Sequence, residues 1–307
     1  MFVGLAVIIS LLVPGILALF FWFQRPKSWL EWGCQFWFLV AASAYSFLSG
    51  RWDYLGVAWR YVSPVPALIV IVKGFLQLKQ GTVVSSGVRR SPVTISIGYL
   101  VPSLLFSILS ILALSGRFYS APSVSLVFPL KDGIFYAAQA GSAAIVNAHH
   151  PHGSQVNAMD IVELDRWGKR ADGWVQTSLD QYAIFGQAVY SPCEGVVTEA
   201  VDGIADLAPG SPGDTEHAAG NHVYIACQGV EVLLAHLKQD SLRVELNRPV
   251  KTGDLIGQVG NSGNTSEPHL HIHAQTGRVP GSLTKGTGVV TLFNWRFYSR
   301  NSTIRVK

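Results

Sequence analysis

The chain has 307 residues, of which 49% are hydrophobic and only 14% charged. Soluble globular domains carry about a quarter charged residues, so these figures exclude an ordinary cytosolic globule as well as intrinsic disorder. The net charge of +4 hides a division: residues 1–116 hold eight Lys and Arg against Glu31 and Asp53, for +6, and residues 117–307 hold 15 bases against 17 acids, for −2. No basic face is left over for nucleic acid. All nine histidines lie beyond the division and six of the nine tryptophans before it.

Val3–Phe23 is uncharged and long enough to cross about 30 Å of hydrocarbon as a helix. Pro14 is tolerable there, since neighbouring helices satisfy the freed carbonyl. A cleaved signal peptide is disfavoured, because no basic stretch precedes the apolar run and no small-residue cleavage site follows it. Ser28–Gly50 reads as a second span, with Trp29, Trp32 and Trp37 suited to an interface. Leu55–Leu76 is a weaker third, interrupted by Arg60, Pro64 and Pro66, with Arg60 expected to snorkel near an interface. Ser91–Gly116 is a long, uncharged fourth. Arg25, Lys27, Lys73, Lys79, Arg89 and Arg90 fall on one side of this arrangement and Arg51 and Arg117 on the other. That bias places the first set in the cytoplasm and the chain after the fourth span outside it. The predicted organisation is a membrane region of about four transmembrane helices over 1–116 and an exported domain over 117–307.

From about Val124 the pattern changes to short runs rich in Val, Ile and Tyr, punctuated by Gly, Asn, Asp and Pro. "GSAAIVNA", "GQAVYSPCEGVVTEAV", "GNHVYIACQGVEVLLAHL", "LIGQVG" and "HLHIHAQ" read as antiparallel strands with tight turns. Gly203–Gly220 has no useful periodicity and reads as a surface loop. The domain is large enough for its own core. Cys193 and Cys227 fall in two predicted strands, where an oxidising compartment allows a disulfide and the alternative is two buried thiols.

A hydrolytic zinc site needs about three protein ligands with a position left open for water, and nearby groups that exchange protons. Three segments supply these types: "NAHHPHGSQVNAMD" with His149, His150, His152 and Asp160; "VLLAHLK" with His236; and "NTSEPHLHIHAQ" with His269, His271 and His273. In a strand, positions two apart share a face, so His269, His271 and His273 form a row while Leu270 and Ile272 turn into the core. A solvated histidine face is the plainer alternative, and the separate histidine clusters argue against it.

These residues resemble the M23 (LytM/lysostaphin-like) zinc metallopeptidases, over about Phe128–Gln275. The resemblance rests on the His149–Asp160 segment, "AHL" at Ala235–Leu237, "HLH" at His269–His271, and the glycine framework of "SPCEGVV" and "VKTGDLIGQVGNSGNTSEPHLH". It implies an all-β, antiparallel sandwich or open barrel with a zinc groove, and one Zn2+ per chain. The implied ligands are one histidine of the first motif, Asp160 and His271, with His236 and His269 as the non-ligand pair. The family's compact His-x-x-x-Asp is stretched here, and the "NAH…AMD" form favours His149, with His150 and then His152 next. His273 stands where a glutamate often follows and is a candidate support for a ligand. His217 and His222 are expected on loop and strand-start surfaces.

The resemblance implies a metalloendopeptidase that hydrolyses peptidoglycan peptides, and the predicted topology makes it the outer domain of a multi-pass protein in a bacterial inner membrane. The bilayer and an unidentified membrane protein are the other candidate partners. The alternative is a catalytically silent LytM-like domain that binds cell wall or regulates another hydrolase; the full candidate ligand set favours activity. "VKTGDLIGQVG" also resembles a carrier-type barrel-sandwich turn, but that turn holds no carrier lysine and the histidines would be unexplained.

Overall fold

The computed structural model describes residues 2–80, 92–120 and 122–307. Contacts group them into two units, Met1–Trp52 with Gly56–Leu114, and Asp53–Leu55 with Ser115–Lys307. The first unit is helical: α1 (Phe2–Trp22), α2 (Trp29–Ser49), α3 (Trp59–Val62), α4 (Val65–Lys79) and α5 (Pro92–Ser115). Ser28 caps α2 by accepting from the Glu31 N–H, and the Glu31 carboxylate accepts from the Lys27 N–H. The first bond satisfies a donor that a helix start leaves orphaned, and the second ties the preceding residue to the first turn.

Two helical segments among the described residues are long and apolar enough to cross a membrane, Trp59–Lys79 and Gly98–Ser115. The first lies a little beyond the expected Leu55–Leu76. Pro64 and Pro66 fall at the start of α4, where a missing N–H costs nothing, rather than inside it. The expected second span forms α2 but is not among the two: Glu31, Gln35, Ser43, Ser46 and Ser49 dilute its apolar content. α1 contributes only the shorter apolar stretch Leu12–Trp22 among the described residues. Arg60 is buried rather than snorkelling; its guanidinium lies 4.0 Å from the Phe47 ring centroid and its Nε donates to the Phe47 carbonyl. The loop carrying Arg89 and Arg90, used in the expected orientation, lies outside the described residues.

The second unit is built of β1 (Ser123–Leu126), β2 (Gly133–Gln139), β3 (Met159–Glu163), β4 (Ala188–Tyr190), β5 (Gly195–Val201), β6 (Asn221–Cys227), β7 (Val230–Leu237), β8 (Pro249–Val250), β9 (Leu255–Gln258), β10 (Leu270–Thr276), β11 (Thr287–Phe293) and β12 (Thr303–Val306). The main sheet runs β12-β2-β3-β10-β7-β6-β5-β8, and β4 pairs with β9 apart from it. β3 and β11 share one edge of β10, at Leu270–Ile272 and Ala274–Thr276 respectively, while β7 takes the other edge. The antiparallel expectation needs one correction: β1 and β11 are parallel. The sheet is open rather than a closed barrel. β8 at one end is two residues long and begins with Pro249, which has no N–H to extend a ladder.

Strand alternation sorts the sheet's faces. Phe135, Ile161, Val223, Val232, Leu234, Leu270 and Ile272 join one buried cluster, whereas Asp160, His271 and His273 project from the opposite positions. Cys193, just before β5, is disulfide-bonded to Cys227 at the end of β6. The bridge encloses the irregular Gly203–Gly220 loop and limits the freedom of the unfolded chain.

Candidate metal centre

The β3–β10 register sets Asp160 opposite His271. Nδ1 of His271 lies 2.9 Å from Asp160 Oδ1. His149 arrives from a different kind of element. The expected strand through "GSAAIVNA" is absent, and residues 141–152 form a series of turns. Asn147, fully buried, organises them: its amide donates to the carbonyls of Gly141 (2.9 Å) and Ala158 (3.0 Å), and its Oδ1 accepts from the His149 N–H. A polar side chain has replaced the missing ladder bonds. His149 Nε2 is thereby brought to 3.0 and 2.9 Å from the two Asp160 carboxylate oxygens. His150 instead directs Nδ1 to the Val156 carbonyl, and His152 lines the adjoining groove.

The ligating atoms of His149, Asp160 and His271 all lie within 4.8 Å of one another. Donors at zinc bond lengths in a tetrahedron stand about 3.4 Å apart, so these three need little movement to share an ion. Two imidazoles and one carboxylate are also a donor set that zinc takes.

His236, the penultimate residue of β7, lies in the left-handed region, at φ 62°. Its N–H donates to the Ala219 carbonyl and its own carbonyl accepts from Gly260. Its Nδ1 lies 2.8 Å from the Ser262 carbonyl, and the His269 Nδ1 lies 2.8 Å from the Glu267 carbonyl. A carbonyl can only accept, so both rings carry the proton on Nδ1 and keep the Nε2 lone pair free. The two rings are 4.7 Å apart, and His269 Nε2 is 3.6 Å from Asp160 Oδ1. Two glycines allow the supporting loops to meet. A Cβ on Gly220 (φ 57°) would stand 2.2 Å from the Ser262 carbonyl oxygen, and one on Gly263 (φ 87°) 2.3 Å from the Gly220 nitrogen.

Burial dominates the electrostatics. It pushes His271 down to about 4, and His236 and His273 well below the ordinary histidine value. Burial opposes ionisation of Asp160 too, but His149 and His269 hold its carboxyl well below the usual range. Burial also disfavours charge on His149, yet the Asp160 carboxylate leaves that residue raised. The cluster thus offers the carboxylate of Asp160 and the neutral imidazole of His271 in the states that metal ligation needs, whereas His149 must release its proton to an arriving ion. His273 places Nδ1 3.0 Å from His271 Nε2, and its own buried Nε2 has no hydrogen-bond partner among the described residues.

His217 is exposed on its loop and pairs with Asp214, whereas His222 is buried in β6 against Glu199 rather than on a surface. A groove of about 390 Å³ runs beside the cluster, lined by His149, His152, Gln155, His236, Asn264 and Leu283.

Residues 175–281 match the model of Peptidase family M23. The match lies within the second unit and covers about a third of the chain. The matched stretch includes His236, His269 and His271 and stops short of His149 and Asp160. Among solved structures, the M23 similarity extends to a putative peptidase M23 from Pseudomonas aeruginosa, at 19% identity and a TM-score of 0.29, covering 54% of this chain and 53% of that one. The chain thus spans about half of the Pseudomonas structure. The catalytic domain of the antimicrobial peptidase lysostaphin from Staphylococcus simulans is similar at 17% identity and a TM-score of 0.26, covering 45% of this chain and 94% of that one. A zinc containing peptidase from Vibrio cholerae is similar at 20% identity and a TM-score of 0.26, with coverage of 53% and 41%. No curated protein matches the chain.

Sequence reasoning missed Asn147, Ser262 and Glu267 as supports. Asn147 was visible only as a letter of "NAH". The other two act through backbone carbonyls, which no side-chain pattern reveals.

Proposed function

We propose that this chain is a multi-pass, membrane-anchored zinc metalloendopeptidase that hydrolyses peptidoglycan peptides outside the cytoplasm. The observation that carries the proposal is the convergence of His149, Asp160 and His271 beside two histidines whose Nε2 atoms are free. His149 Nε2, His271 Nδ1 and the Asp160 carboxylate would hold the ion. When bound, zinc supplies a Lewis acid for the scissile carbonyl and an activated water at neutral pH. Burial keeps His236 neutral, and the His236 and His269 rings are both fixed by backbone acceptors, so each can take a proton at Nε2 and return it to a leaving amine. The left-handed backbone at His236 keeps that ring turned towards the cluster. The groove beside the histidines gives an extended peptide room to lie across them.

The anchoring part of the proposal is supported by the two apolar segments and by their bare side chains. Leu68, Ile69 and Val72 on one, and Leu104, Leu105, Ile108 and Ile111 on the other, are exposed. Side chains of that kind fit hydrocarbon better than water.

The test is zinc content together with product release from purified peptidoglycan, using the detergent-solubilised full chain. The expected result is one zinc per chain and soluble peptide products. His271→Ala should lose the zinc, and His236→Ala should keep it while hydrolysis falls by at least about 100-fold. Zinc binding without cleavage by the unaltered chain would establish the silent LytM-like reading instead.

A further inference from the structure

The loop from Asn261 to Pro268 supplies the carbonyls that orient both non-ligand histidines, Ser262 for His236 and Glu267 for His269. Its two halves are anchored differently. The first is tied down by Asn261, whose N–H donates to Asp206 and whose amide donates to the Leu207 carbonyl. The second, which serves His269, is held inside the loop by the Thr265 hydroxyl, 2.9 Å from the Glu267 carbonyl, and from outside it by the Glu267 side chain. Arg170, 6% exposed, donates from Nε to Glu267 Oε2 at 2.7 Å. The Arg170 guanidinium carbon lies 3.3 Å from the Tyr54 ring centroid, and the Tyr54 hydroxyl reaches the same carboxylate at 3.3 and 3.4 Å. The Arg170 N–H donates to the Asp53 carbonyl, and Asp53–Leu55 group with the second unit. Arg170 and Tyr54 both lie outside the 175–281 match. A planar guanidinium stacked on one ring and bonded to one carboxylate is held in a defined orientation.

We propose that Arg170, stacked against Tyr54, is a positioning residue for His269: by fixing the Glu267 side chain it fixes the carbonyl from which the His269 ring hangs. Neither residue touches the reacting atoms. The effect passes through one loop residue to one ring, so a shift of the Glu267 backbone would free the ring to rotate or exchange its proton. Misplacement of a proton-transfer group by about 1 Å costs up to about 100-fold in rate. The inference rests on the catalytic role given to His269 above.

The experiment is a double-mutant cycle on the full chain in detergent, with a spectroscopic arm that needs no activity. Arg170→Gln and Tyr54→Leu are made alone and in a His269→Ala background. For each, kcat, KM and zinc content are measured, and the 15N shifts of the His269 ring are followed in histidine-labelled protein. Arg170→Gln should lower kcat about tenfold or more, with KM and zinc content unchanged and no further loss in the His269→Ala background. Tyr54→Leu should follow the same pattern more weakly. The His269 resonances should show a protonated Nδ1 in the unaltered chain and tautomer averaging in Arg170→Gln. An equal loss in both backgrounds, or a loss that tracks zinc, would overturn the proposal. An inactive unaltered chain would sink the peptidase reading alone, and an unchanged His269 tautomer in Arg170→Gln would then overturn this one. If Arg170→Gln does not fold, Arg170→Lys keeps the charge without the planar stack and gives the same readouts.

Discussion

Two residues that touch neither substrate nor metal show how the environment sets a side chain's chemistry. His273 meets His271 at Nε2, the nitrogen facing away from Asp160. Accepting a proton there leaves Nδ1 of His271 free for a ligand bond, the support that a histidine ligand usually draws from a carboxylate or carbonyl. His273→Leu is expected to weaken zinc binding about 10- to 100-fold, and His273→Gln to restore part of it through its amide carbonyl; competition against a chelating dye measures both. Glu163 is a simpler case. Burial raises its carboxyl from 4.5 to about 7, so across that interval the folded chain holds a proton that the unfolded chain has released. Stability therefore falls as pH rises through the window. Glu163→Gln should melt about 2–4 °C higher above pH 7, after discounting the shift for partial exposure, and no higher near about pH 4. A thermal melt at the two pH values decides it.

The elements differ in how much of them the sequence displays. β5, β6, β7 and β10 follow from local alternation, and the row through His271 and His273 follows with them, because period-two patterning depends only on near neighbours. The 141–152 turns were not legible as turns. Ala143, Ala144, Ile145 and Val146 look like a strand, and only the buried Asn147 amide, bonding to Gly141 and Ala158, explains why they are not. Sheet closure was also beyond local pattern, since it depends on which distant edges meet. The parallel β1–β11 pairing leaves no mark in either segment. The pair of Gly220 and Gly263 marks where two loops must touch. Gly220→Ala would set a methyl against the Ser262 carbonyl and drive the loop away from His236. It should leave zinc content near one per chain and lower kcat about 100-fold, which metal analysis and kinetics on the same preparation can separate.

At the scale of the molecule, the division in composition near residue 116 coincides with a change of architecture, from helices to strands. That change was legible because a run of uncharged residues and an alternating one cannot be confused over this length. The number of membrane crossings was less so. α2 mixes Trp with Ser and Gln, and Pro64 and Pro66 begin α4 instead of breaking it. If the proposed topology is right, the full chain stays with membranes through alkaline carbonate washing. Protease added outside spheroplasts then digests the second unit while leaving the helices protected. Release by carbonate, or full protection of the second unit, would count against it.

The pairing of β2 with β12 has a consequence for how the second unit comes to exist. Tyr136 on β2 meets Asn301 across 165 residues of sequence, and β1 likewise waits for β11. Neither early strand has its neighbour when it is made. Both must stand with open edges while the rest is synthesised, and open edges invite pairing with other chains. The second unit can therefore complete its sheet only after its last strands are made, and loss of Thr303–Val306 would leave the β2 edge bare in an otherwise finished sheet. Such a truncation tests assembly rather than chemistry: self-association should appear while His149, Asp160 and His271 are all still present.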